Sequence, residues 1–215
     1  MTIASDVSAL AHSIVDPTAL AAHTQSDRLR ALSAAVLVLS HAEIETAIES
    51  ACIATARLLL NSAEPHNAIL VWGLMESNSS INVGKLYNKQ SSALHKLVDD
   101  YEALVERNHG IKEHNLRTLL SPLGVDLAPL STDVNTLDVF GATRGQLAHK
   151  PLSAWGTSAL PSKHVNDAIQ AGASADLVVQ AIIAKHSLLK TPRPPRAFLR
   201  RRIAKALRWF GDAIE

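Results

Sequence analysis

The chain of 215 residues with a net charge of +1 is long enough for one sizeable core, or for a core with an appendage. It has only three Trp, two Tyr, three Phe and nine Gly among abundant Ala and Leu, which disfavours a sheet protein and points to helices. The single cysteine, Cys52, excludes an internal disulfide and any cysteine-based zinc site, and it fits a reducing compartment, so a cytoplasmic location is expected.

The N-terminus has no basic region ahead of an apolar run, and no stretch reads as long enough to span a bilayer. The near-neutral total hides an asymmetry. From Lys190 onward the chain carries eight of its 21 cations and two of its 20 acids, so residues 1–189 are net −5 and the remainder is net +6.

From Asp27 to about Asn61 there is no Gly or Pro, and Leu29, Leu32, Val36, Leu39, Ala47, Ala51, Ala54 and Leu58 recur at helical spacing. This predicts one long helix or two abutting ones. SAEPHNA at 62–68 breaks it, and LVWGLMES predicts a shorter apolar helix to about Ser77 before the turn-forming SNSSINVGK. Lys85 to Asn108 is helical again, closed by Asn108, His109 and Gly110, and Lys112 to Leu120 is a short helix. SPLGVDLAPL is a loop whose Leu and Val tuck onto the core. Ser131 or Thr132 caps a helix to about His149, where Pro151 disfavours helical geometry at Lys150. Ser162 to about Leu189 is the last body helix, and TPRPPR is a stiff linker. In AFLRRRIAKALRWFGDAIE, Leu199, Ile203, Leu207, Phe210 and Ile214 share one helical face with basic residues around it.

The segment that reads as chemical is RGQLAH, Arg144 to His149. At about 100° per residue, Arg144 falls in the middle of the apolar stripe of Leu137, Phe140, Leu147 and Ala148. A guanidinium there must meet a carboxylate, face a cleft or lie at an interface, because burying it alone is costly. His149 lies about 140° away, so the two aim at one spot only if the helix ends near His149. A helix C-terminus favours imidazolium, which suits proton transfer near neutrality. The same spacing also describes a structural ion pair followed by a solvated histidine. The other histidines show no metal-ligand spacing: His41 and Glu43 mimic the HxE of zinc deaminases, but one cysteine cannot supply the rest of that set.

The Rx4H pattern at the end of an apolar helix resembles the signature of HEPN-domain ribonucleases. HAEIETAIESA at 41–51 is similar to that family's acidic early helix. HGIKEHNLRTLLSPLGVDL at 109–127 resembles the segment before the motif in the ribonuclease L and prophage-associated branch. The likeness covers roughly residues 30–150. It implies an all-α HEPN-like helical bundle over 1–190, followed by a proline-rich linker and a basic amphipathic C-terminal helix over 191–215.

It further implies a metal-independent endoribonuclease with no cofactor. In that chemistry the ribose 2′-hydroxyl attacks the adjacent phosphorus, leaving a 2′,3′-cyclic phosphate and a 5′-hydroxyl. His149 would move the proton and Arg144 would hold the phosphate. The family completes its acid and base pair by dimerising, so a homodimer is expected. The early-helix acid that would pair with Arg144 matches Glu45 by context, whereas the helical wheel favours Glu43, and both stay open.

One position departs from the family pattern. Gly145 stands where Asn or another polar residue usually follows the arginine, which supports a rival reading as an inactive HEPN-like binding or dimerisation module. Arg196, Arg200, Arg201, Arg202, Lys205 and Arg208 are the candidate RNA-phosphate contacts, and peripheral membrane contact of their helix stays open. The implied setting is phage defence or a toxin–antitoxin pair, with RNA and an antitoxin or other regulatory protein as partners.

Overall fold

A run of 35 residues without Gly or Pro builds the central helix. In the computed structural model, which describes residues 2–21, 26–61, 73–74, 90–149 and 160–185, it is one continuous element, α3 (Asp27–Asn61). It is preceded by α1 (Ile3–Ile14) and the short α2 (Pro17–Ala21), and followed by α4 (Gln90–Glu106), α5 (Glu113–Leu120), α6 (Ser131–Ala148) and α7 (Pro161–Lys185). Regular structure among the described residues is all helical, an all-α bundle. The proline-rich linker, the basic C-terminal helix with Arg196 to Arg208, most of the apolar segment to Ser77 and the SNSSINVGK turns lie outside the described residues.

α3 is packed by α7, α1, α4 and α6, which explains why its buried positions outnumber one amphipathic stripe. Leu37, Ile44, Ile48 and Cys52 are deeply buried, as are Leu29, Val36 and Leu58 of the expected stripe, whereas its Leu32, Leu39, Ala47, Ala51 and Ala54 are only partly covered. Two of its buried hydroxyls are met locally: Ser33 Oγ donates to the Arg30 carbonyl at 2.8 Å and Thr46 Oγ1 to that of Ala42 at 2.7 Å. Burial pushes the Cys52 thiol up to about 12, so this cysteine is a packing residue. The expectation that no segment reaches membrane-span length is corrected here. Asp27–Leu58 does so by length and composition, because a helix surrounded by other helices needs apolar residues all round, as a membrane span does.

α7 packs on α3, α1 and α6, and its buried positions include the small residues Ala168, Ala171, Gly172 and Ala175. α1, not anticipated as a helix, docks on the same element. Thr2 and Ser5 form a capping box, and Asp176 of α7 accepts the backbone N–H groups of Ile3 at 2.8 Å and Ala4 at 3.0 Å. A methyl group on Gly172 would come within 3.1 Å of the Ala4 Cα.

Residues 121–130 form two 3₁₀ turns, Ser121–Leu123 and Ala128–Leu130, with Pro122, Leu123 and Val125 buried. The second turn runs directly into α6 and takes the Ser131 N–H on the Ala128 carbonyl. Leu130 therefore occupies the N-cap with no side-chain bond, which corrects the expected Ser131 or Thr132 cap. The last body helix opens with Pro161 in its first turn, one residue ahead of the expected Ser162, as suits a residue with no N–H to leave unpaired.

Candidate functional site: one face of α6 against α3 and the 107–112 turn

α6 turns Leu137, Phe140 and Leu147 into the core, and Arg144 lies within that stripe, half-buried. Phe140 stacks on His41 of α3, with ring centroids 6.2 Å apart and planes 22° apart. Gly141, one turn before Arg144, closes against the same imidazole: a methyl there would lie 3.7 Å from His41 Nε2, 3.5 Å from Ile111 Cγ1 and 3.4 Å from Lys112 Cγ. His41 is only 4% exposed. Burial, and secondarily the charge of Arg144, lower its pKa to about 3, so it is a neutral ring at physiological pH.

Glu45, one turn further along α3, lies 3.9 Å from His41 Nδ1 and accepts the Gly110 backbone N–H at 2.5 Å. The buried Glu49 accepts from Asn108 Nδ2 at 3.1 Å, and that amide also donates to the Gly110 carbonyl at 2.9 Å. Two α3 acids thus pin the turn between α4 and α5. Gly110 sits there at φ +123°, a conformation side-chain-bearing residues rarely adopt.

The two acids left open by the sequence separate here. Glu45 belongs to the His41 and Gly110 cluster beside Arg144. Glu43 is directed to α1 instead, where burial first and the nearby Asp6 second raise its pKa. His149 is the exposed C-cap of α6, at φ −91° and ψ −1°. The buried His41 thus has Glu45 on one side and the charge of Arg144 near it, and His149 ends the helix that carries Arg144.

His41 is the residue sequence reasoning missed. It falls four residues after Leu37 and three before Ile44, both fully buried, so a histidine in line with the deepest stripe of α3 was the available signal. Gly145 borders open space: a methyl added there meets nothing within 4 Å beyond its own helix turn. Among the described residues, no group of three or more His, Cys, Asp or Glu could hold a metal ion.

No curated protein and no solved structure matches the chain. A family model described as RiboL-PSP-HEPN matches residues 3–172, from the start of α1 well into α7. The match takes in the α3 acids, the pinned turn and the whole of α6, and the chain belongs to the RiboL-PSP-HEPN family.

Proposed function

We propose that the protein is an endoribonuclease working without a metal ion, with a composite site made by two copies of the chain across a two-fold axis. The observation that carries this reading is Arg144 held on the apolar face of α6 beside a His41 that is neutral at physiological pH, with His149 exposed at the end of the same helix. An imidazole can accept a proton from a ribose 2′-hydroxyl as the oxygen attacks phosphorus. Arg144 would stabilise the added charge on the phosphorane, and the 5′-oxygen would leave with a proton from a second acid. His41 cannot be that acid, because it holds no proton near neutral pH. A second copy's His149 supplies it. The products are a 2′,3′-cyclic phosphate and a 5′-hydroxyl, and the setting is cytoplasmic, in phage defence or a toxin–antitoxin pair.

Gly145 favours a second reading, an inactive HEPN-type binding or dimerisation module, because it removes the polar side chain that usually follows the arginine and leaves empty space there. One experiment separates the two. His149→Ala and Arg144→Ala should each abolish cleavage of RNA by a dimer that stays folded, and the parent should remain active in EDTA. Activity lost to EDTA, or 5′-phosphate ends, would exclude this mechanism. A dimer with no activity on any RNA supports the binding module.

A further inference from the structure

Beside the α6 face, α4, α5 and the turn between them line an open cleft of about 560 Å³, within the roughly 300–1,000 Å³ typical of ligand sites. Arg107, His109, Lys112 and His114 line it together with Asn108 and Asn115, and no acid is among its lining residues. The turn is built to face cations outward. Asn108 and Ile111 point into the fold and are buried, whereas Arg107, His109 and Lys112 are exposed. The carboxylates behind the turn are engaged from within, Glu45 by the Gly110 N–H and Glu49 by Asn108. Glu113, between Lys112 and His114 in the chain, is paired with Arg117 at 2.7 Å. Arg107 is braced by a 3.1 Å bond from its Nε–H to the Ala103 carbonyl, and Asn115 holds the His109 carbonyl at 3.2 Å. One wall of the cleft borders α6: Lys112 Cγ stands 3.4 Å from the Cβ position of Gly141, one helical turn before Arg144.

We propose that this cleft binds the phosphodiester backbone of single-stranded RNA, on the stretch flanking the phosphate presented to Arg144. The substrate class rests on the ribonuclease reading above. Arg107 and Lys112 are the two fixed charges, and the imidazoles and amides offer stacking faces and hydrogen bonds to nucleotides between them.

The test uses the full chain carrying His149→Ala, so that RNA is bound but not cut, and fluorescence anisotropy with a short labelled oligouridylate across a salt series. Each single-strand phosphate contact contributes about 0.7 to the slope of log affinity against log salt. Arg107→Gln/Lys112→Gln should therefore lower the slope by about 1.4 and weaken binding by about 10- to 30-fold near 0.1 M salt. The control Lys96→Gln/Lys163→Gln removes the same charge from helix-surface ion pairs on α4 and α7 and should change affinity less than twofold. Arg107→Lys/Lys112→Arg should retain binding. Equal losses in the cleft variant and the control would overturn the proposal, as would a His149→Ala protein that binds no RNA. So would a cleft variant that alters sedimentation but not RNA affinity, which would make the cleft a protein contact. Cleavage by the parent is scored separately: binding that depends on the cleft in a protein that never cuts RNA refutes the nuclease reading and leaves the cleft standing.

Discussion

Acid should destabilise this fold through His41. In the unfolded chain an imidazole titrates near 6.5, whereas burial between α3 and α6, with Arg144 beside it, lowers the folded value to about 3. Between those limits the unfolded chain takes up a proton that the folded chain refuses, so stability present above pH 6.5 is lost as pH falls, until folded His41 protonates near pH 3. Each pH unit in that window costs about 1.4 kcal/mol. From pH 7.5 to 4.5 only the two units below 6.5 count, so the loss from His41 alone is about 3 kcal/mol. Urea unfolding of the parent and of His41→Gln at both pH values isolates it. The substitution carries its own packing cost at pH 7.5, and the buried His164 and half-buried Glu43 titrate in both proteins, so the difference between the two acid-induced losses reports His41. The variant should lose about 3 kcal/mol less than the parent. A difference below about 1 kcal/mol would mean that His41 is not held neutral and that the packing of α6 on α3 is looser than described.

Gly145→Ala should stabilise the protein by about 1 kcal/mol in the same assay, because the position is helical and the methyl meets open space; destabilisation would show that something packs there. Asp176→Ala should cost about 1–2 kcal/mol and raise amide exchange selectively in α1, whose first two N–H groups lose their acceptor; unchanged exchange would show that α1 is held by its apolar face alone. Gly110→Ala should cost about 1–3 kcal/mol, since φ +123° strains any side-chain-bearing residue, and should weaken RNA binding by disturbing the cleft rim. A neutral effect would refute the pinned geometry of the turn.

Local chemistry was enough to determine the helical class, the span of α3, the end of α6 before Pro151 and the place of Arg144 on an apolar stripe. Each depends on helical periodicity or on a proline, which act over a few residues. The blocks at 41–51, 109–127 and 144–149 carried a resemblance to HEPN ribonucleases in their residue identities, and the family match spans all three. Tertiary structure alone decided the rest. α1 escaped notice because half of its N-terminal capping comes from Asp176, far along the chain. The azimuth of Glu43 looked favourable on a wheel, yet α3 is covered on several sides, so an apolar-facing position can look toward α1 rather than α6. Glu45 owes its place to the Gly110 N–H, and the cationic cleft to a turn pinned by two α3 carboxylates. Such contacts join residues 59 to 65 positions apart, and no pattern within a helical turn or two encodes which helix face will meet which loop.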